Sequence, residues 1–409
     1  MAAYASLRSR NFRFLLASGV LSVLSQQMLA TVVGWDLYTA TRSAIVLGNV
    51  GLVQIIPPIL FTFIAGYAAD RYDRRRITVL AQTVIAIAGL LLAFGGEHRG
   101  VTLIYSCLFL AATARAFQWP AASALLPQVV DPGHLTSAIG WQGTGRELAT
   151  VGGPALAGFL VAWRGSESVY LLQTGCALVS AIGYAAMRVP PPADTTRQPM
   201  TWKGVGEGLR FVYREKVILA AISLDLVAVF FGGAVTILPI YAQDILNIGA
   251  TGLGWLRAAP AFGAALMAIY LAHRGTIRRA GRALLLSVAG FGIATIGFAV
   301  ATSPWISFAM LFLTGVFDSV SVVLRLSLVQ TRTPDHLRGR VSAVNGLFIA
   351  CSNQWGAVES GVAAAWLGTV PSVVFGGTAT MVVVGVIAWT CAGLRNWTNK
   401  PLMEIQEPA

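Results

Sequence analysis

Charge is scarce in this sequence: Asp, Glu, Lys and Arg make up 11% of its 409 residues, where soluble globular chains carry ~25%. So little polar surface cannot cover a water-soluble fold of this length, which excludes an ordinary soluble enzyme. Histidine and cysteine are also rare, at four each. Cys107, Cys176, Cys351 and Cys391 lie in apolar stretches, without the paired spacing of a zinc site or of a secreted disulfide framework. H-E-x-x-H, G-x-S-x-G, a nucleotide-binding loop and paired membrane histidines are all lacking, so neither a metal nor a cofactor is expected.

What the chain has instead is apolar sequence, 56% of the residues, in long uncharged runs such as Phe14 to Trp35, Ser43 to Ala69, Ile77 to Gly96 and Ser168 to Met187. Each approaches the ~20 residues that a helix needs to cross ~30 Å of hydrocarbon. Ala283 to Phe317 and Ser360 to Leu394 are too long for one crossing, and Ser303-Pro304 and Gly368-Thr369-Val370-Pro371 divide them. The count is twelve helices, at 12–38, 44–69, 77–96, 101–120, 136–162, 168–188, 217–242, 252–272, 283–302, 304–325, 341–366 and 371–394. The fold class is therefore all-α integral membrane. Arg8, Arg10 and Arg13 precede an apolar run longer than a signal-peptide core, so the first helix is expected to stay in the mature protein.

A net charge of +12 and a pI near 10.1 suggest nucleic acid in a soluble protein, but here the bases sort by topology. With both termini cytoplasmic, 22 bases fall in inside segments, three (Arg42, Arg99, Arg164) in outside loops and four (Arg115, Arg146, Arg257, Arg325) within crossings. This fits a multi-pass membrane protein with lipid as a partner, and no nucleic acid is needed to explain the charge. The polar interval 190–216 is read as a cytoplasmic linker whose later part, Trp202 to Tyr213, has the mixed pattern of an interfacial helix. The expected bodies are a six-helix bundle at 1–189, a second at 217–394 and a tail at 395–409.

The two bundles repeat. Tyr67-Ala68-Ala69-Asp70-Arg71 with Arg75-Arg76 aligns, at an offset of 203 residues, with Tyr270-Leu271-Ala272-His273-Arg274 and Arg278-Arg279. Gln128, Pro132, His134 and Leu135 match Gln330, Pro334, His336 and Leu337 at an offset of 202. Such duplication is a mark of alternating-access transport.

The residues after the second crossing, Gly66-Tyr67-Ala68-Ala69-Asp70-Arg71-Tyr72-Asp73-Arg74-Arg75-Arg76, resemble the G-x-x-x-D-R-x-x-R-R signature of the major facilitator superfamily. Ala149 to Gly158, with Gly153, Pro154 and Gly158, is similar to that superfamily's antiporter motif, from which Ala149 and Ala157 depart. Pro334 to Ser342 and Glu359-Ser360-Gly361 resemble the branch of bacterial exporters that includes the enterobactin exporter. The resemblance implies two pseudo-symmetric six-helix bundles. It also implies a cytoplasmic gate of Gly66, Asp70, Arg71, Arg74, Arg75 and Arg76, with Asp70 at the start of the eleventh crossing near Arg338 and Arg340.

An ionisable side chain at bilayer depth costs roughly 2.5–3.5 kcal/mol on insertion scales, so each one needs a reason. Asp225, Glu359 and Asp36 are candidates for proton coupling: a carboxylate held away from water can store and release a proton, and the resemblance puts the seventh crossing, with Asp225, at the cavity. For Asp225 the competing role is ion pairing, with Arg115, Asp318, Arg325, Arg146 and Glu147 as the other intramembrane charges; for Glu359 it is a helix contact through Glu359-Ser360-Gly361, and for Asp36 an interfacial position beside Trp35. Asp225 has Arg115 or Arg325 as possible partners, and Asp318 is the repeat equivalent of Arg115. Gln26, Gln27, Gln118, Trp119, Asn353, Gln354 and Trp355 combine amides with aromatics, as a pocket for a large amphipathic molecule requires. The expected protein is a monomeric, proton-coupled exporter of a siderophore-like or drug-like small molecule. An uncoupled facilitator or importer is the alternative, with an intramembrane enzyme or a scaffold further off.

Overall fold

The computed structural model describes residues 6–96, 100–189, 202–232, 234–274, 277–334 and 337–398, and all regular structure among them is helical. In chain order the helices are α1 (Arg10–Thr41), α2 (Ala44–Arg71), α3 (Arg74–Phe94), α4 (Val101–Val129), α5 (Leu135–Arg164), α6 (Ser166–Ala185), α7 (Trp202–Arg214), α8 (Lys216–Phe231), α9 (Ala234–Ile240), α10 (Gly249–Arg274), α11 (Ala280–Val300), α12 (Pro304–Arg332), α13 (Arg338–Leu367), α14 (Thr369–Thr390) and the short α15 (Ala392–Arg395). Residues 190–201 of the expected linker and 399–409 of the tail lie outside the described residues, as do Arg99, Asp335 and His336.

Among the described residues, ten segments are long and apolar enough to cross a membrane. The remaining two expected crossings correspond to α5 and α13, helices of 30 residues each. Their length suffices, but Arg146 and Glu147 in one, and Asn345, Asn353, Gln354 and Glu359 in the other, make them more polar. The expected seventh crossing is not one continuous helix: α8 ends at Phe231, Gly232 caps it by donating to the Ala228 carbonyl, and α9 leads into a π turn at Tyr241–Ile245. Several helices outrun their expected ends. α4 continues through Pro120 to Val129 and α12 to Arg332, because bilayer thickness sets a minimum helix length and no maximum.

Helix ends follow local chemistry. The Ser9 hydroxyl caps α1 by accepting from the Phe12 N–H at 3.3 Å. Pro304, whose fixed φ suits a first helical position, opens α12. Gly165 links α5 to α6 with φ +80° and Gly368 links α13 to α14 with φ +92°. These are backbone conformations that a side chain disfavours, and the two glycines stand 203 residues apart, in register with the repeat.

Two compact units emerge, one of residues 1–46, 52–200 and 247–258, the other of 47–51, 201–246 and 259–409. In the first, α1 packs on α5 and α6, and α3 on α4 and α6. The second repeats the scheme, with α8 on α13 and α14, and α11 on α12 and α14. Polar tethers cross the first unit: Gln82 Nε2 donates to Ser22 Oγ at 2.6 Å, Gln173 Nε2 to Ser25 Oγ at 3.0 Å and Ser180 Oγ to the Ser18 carbonyl at 2.9 Å. Without a hydrophobic drive between helices in lipid, such bonds and close backbone approach hold a bundle together. The outward faces are apolar, including Leu80, Ile182 and Leu286, and the exposed Trp163, Trp305, Trp366 and Trp389 sit near helix ends, as in interfacial aromatic belts. α7 forms where an amphipathic helix is expected, with Val212 buried and Tyr213 exposed.

Helices approach at backbone distance where α10 meets α12. A Cβ at Gly315 would fall 2.5 Å from the Pro260 carbonyl carbon, and one at Gly263 would strike the Phe312 carbonyl. Gly140 on α5 has nothing within 4 Å of that position. Gly315→Ala should therefore destabilise the protein by about 1–3 kcal/mol, whereas Gly140→Ala should stabilise it by about 0.5–1 kcal/mol through helix propensity. Thermal unfolding in detergent, followed by tryptophan fluorescence, reads both signs.

Candidate functional site

The first unit encloses a cavity of about 460 Å³. It forms because polar residues recur at helical spacing on facing helices: Ser22 with Gln26 on α1, Arg115 with Gln118, Trp119 and Ser123 on α4, and Gln142 with Arg146 and Thr150 on α5. Tyr184 of α6 completes the wall. Of the expected site residues, Gln26, Gln27, Arg115, Gln118, Trp119 and Arg146 all reach this one space. Gln118 is pinned there, since its Nε2 donates to Ser22 Oγ at 3.1 Å. The Arg146 guanidinium lies over the Trp119 ring, 5.2 Å from its centroid, and that ring is 65% exposed. Gln142, Thr150 and Tyr184 escaped the sequence reading. The four-residue step from Gln142 through Arg146 to Thr150 was a usable signal, whereas nothing in the apolar run around Tyr184 marks it.

Among the described residues, the only charged ones lining this cavity are Arg115 and Arg146. Among the described residues neither has a carboxylate in a salt bridge. Arg257 of α10 likewise has none. Glu147, next to Arg146 in the chain, points elsewhere on α5, as the ~100° step between neighbours requires, and lines no part of the cavity.

In the second unit charge is arranged differently. Arg325 of α12, 2% exposed, forms an ion pair with Asp225 of α8. Asp318, seven residues before Arg325 and so on nearly the same face of α12, lies within electrostatic reach of both. Asp225 and Asp318 line one small void of about 10 Å³ with Phe291, Phe317 and Ser321. Arg325 thus holds one carboxylate in contact and has a second within electrostatic range. Of the two partners considered for Asp225, the structure assigns Arg325, while Arg115 opens onto the cavity of the first unit.

The other coupling candidates differ in setting. Asp36 accepts from the Ser166 hydroxyl and from Tyr170 OH at 3.0 Å, which ties α1 to the start of α6. Glu359 is half-buried on α13; its recorded contact is Ser360 Oγ, donating to Oε2 at 3.4 Å, and no cation pairs with it among the described residues. Asn353 donates to the Ile349 carbonyl of its own helix at 2.9 Å, Gln354 is half-buried and Trp355 is 46% exposed.

The arginine-rich loop after α2 works as a set of staples. Asp73 caps α3, accepting from the Arg75 N–H at 2.9 Å and the Arg76 N–H at 3.4 Å, a role missed in the sequence although Asp before a helix is a strong cap. Arg74 pairs with Asp70 at 3.9 Å and donates to the Ala69 carbonyl at 2.9 Å and the Ala124 carbonyl of α4 at 3.5 Å. Arg75 donates to the Met187 carbonyl at 2.8 Å and to Ala185, the last residue of α6, where unpaired carbonyls carry partial negative charge. Arg71 and Arg76 are exposed, and a Cβ on Gly66 would meet nothing. Arg340 pairs with Glu207 of α7, an engagement not anticipated from the sequence, and Arg338 begins α13. In the antiporter-like segment a Cβ on Gly153 would lie 2.6 Å from Gln27 Cβ on α1, and one on Gly158 would lie 2.8 Å from Gly254 Cα within the same unit. Pro154 is buried beside them.

A helical membrane body with a polar cavity, internal charges and duplicated packing is the build of a membrane transporter. The chain belongs to the Major Facilitator Superfamily, whose sequence profile matches residues 15–356. It is 28% identical to the multidrug efflux pump Tap of Mycobacterium tuberculosis over 322 residues, covering 73% of this chain and 75% of that one. To the enterobactin exporter EntS of Shigella dysenteriae it is 27% identical over 346 residues, covering 83% and 81%. With the macrolide efflux protein A of Streptococcus pyogenes the identity is 24% over 236 residues, and the chain spans 58% of that relative's length. Among solved structures, a peptide transporter of the POT family matches with a TM-score of 0.74 at 14% identity, covering 96% of each chain. The nucleoside transporter NupG matches with a TM-score of 0.71 at 10% identity, covering 93% of this chain and 99% of its own. These neighbours share the fold, and they are transporters rather than enzymes.

Removing one member of a buried pair leaves the other uncompensated, at about 3–5 kcal/mol. Arg325→Gln should destabilise by that amount because it strands both Asp225 and Asp318. Asp225→Asn should cost clearly less, because Asp318 remains within reach of the guanidinium. Unfolding midpoints of the two variants in detergent give the order.

Proposed function

We propose that this protein exports a small amphipathic compound across the bacterial cytoplasmic membrane by alternating access, in exchange for protons, with both termini in the cytoplasm. Family membership and the efflux relatives support export. The observation that carries coupling is the second carboxylate, Asp318, lining the same small void as Asp225, whose ion pair already occupies Arg325. One guanidinium neutralises one carboxylate, and the second, beside Phe291 and Phe317 with little water, is stable only with a proton or a counter-charge. A proton arriving at either acid alters which carboxylate Arg325 holds, and a change of partner between helices α8 and α12 is the kind of discrete rearrangement that links protonation to a conformational equilibrium. Residues 1–189 and 217–394 serve as the two bundles, and the arrangement needs no second copy of the chain.

Proteoliposomes with the voltage clamped test this, using two amphiphiles of permanent charge so that the pH gradient cannot trap them by titration: tritiated estrone sulfate and tritiated tetraphenylphosphonium. An imposed pH gradient should accelerate the protein-dependent flux of at least one, and Asp318→Asn should abolish that acceleration while leaving exchange without a gradient. If neither compound responds to the gradient, or if Asp225→Asn and Asp318→Asn both keep the full response, coupling through this cluster is wrong and facilitated diffusion takes its place.

A further inference from the structure

The cavity of the first unit is a polar chamber with a one-sided charge. Among the described residues Arg115 and Arg146 are the only charged ones on its wall, and none of the acids lines it. Neither guanidinium is in a salt bridge among the described residues. Arg325 of the second unit has a carboxylate in contact, whereas the two cations that face this space of about 460 Å³ have none on its wall and call for a negative occupant. The rest of the wall specifies the remainder of that occupant. Trp119 presents an exposed ring beneath Arg146, and Gln26, Gln27 and Gln142 supply amide donors and acceptors.

We infer that this cavity binds an organic anion: a carboxylate, sulfate or phosphate attached to an aromatic or otherwise apolar body, with the acid group held by Arg115 and Arg146 and the body laid against Trp119. The fork of a guanidinium matches the paired oxygens of such acids, and the cavity volume suits a ligand of drug size. The inference deepens the export reading and rests on it for the word cargo, but the binding it describes requires neither a gradient nor transport. Its consequence is selectivity by sign, since a lipophilic cation entering this space meets two like charges on the wall, and the nearest acid, Glu147, lies within electrostatic range of Arg146 but off the wall.

Equilibrium binding of tritiated estrone sulfate and of tritiated tetraphenylphosphonium to the full-length protein in non-ionic detergent separates the possibilities. Estrone sulfate should bind more tightly than the cation, and its affinity should fall as salt rises. Arg146→Gln and Arg115→Gln should each weaken it by about tenfold, the scale of one charge-assisted hydrogen bond. Arg146→Lys, which keeps the charge and loses the fork, should fall between. Elution profiles and unfolding midpoints like those of the unmodified protein certify the variants, and Arg146 at the exposed edge of the wall tolerates replacement if the deeper Arg115 does not. Excess dioleoylphosphatidylglycerol should leave estrone sulfate bound. Tighter binding of the cation, absence of estrone sulfate binding, indifference to both glutamine substitutions, or displacement by the phospholipid would each overturn the assignment. Because no gradient is applied, a negative result here leaves coupling untouched, and a failure of gradient-driven flux leaves this site standing.

Discussion

Hydrocarbon offers an ionic side chain no solvation, so every charge kept inside this chain has to be held by another part of the protein, by water in a cavity, or by something that comes and goes. That constraint organises the molecule. Backbone polarity is absorbed within helices, side-chain polarity is spent on short tethers such as Gln82 to Ser22 and Gln173 to Ser25, and glycines let helices meet at backbone distance. The few remaining ionic groups are confined to places where the packing leaves room for them.

The two units solve this problem in contrasting ways on one packing scheme. α1, α5 and α6 have their counterparts in α8, α13 and α14, and α3 with α4 in α11 with α12. Yet the first unit places Arg115 and Arg146 around an open cavity, and the second buries Arg325 against Asp225, which with Asp318 lines a void scarcely the size of a water molecule. A duplicated scaffold can diverge in this manner because its stability comes from helix packing and from linkers such as Gly165 and Gly368. Charges facing the interior are then free to specialise, one set toward a ligand and the other toward each other.

The arginine-rich segment after α2 shows how a motif can be recognised correctly while its physics stays hidden. Asp70, Arg74 and Arg75 stand out in the sequence, but the work the structure gives Arg74 and Arg75 is to tie α3 to the ends of its neighbours, through the carbonyls of Ala124 and Met187. Those partners are 50 and 112 residues away, and backbone carbonyls leave no trace in a sequence. Arg340 is similar, because its partner Glu207 lies on a helix that the sequence marks only as amphipathic.

Composition, run length and the positions of Pro and Gly were enough to establish a helical membrane protein, its duplication and most helix boundaries, because the thickness of oil and the geometry of the helix leave few other solutions. The break after Phe231 and the reach of α4 and α12 beyond a membrane's width belong to packing and emerged only in three dimensions. The amides and aromatics of the cavity were visible as residue types, and Tyr184 was not. Which acid holds Arg325, and that Arg115 and Arg146 face a space without any, depended on helices distant in sequence coming side by side, and ionic pairing is a property of distance that no periodicity along one chain encodes.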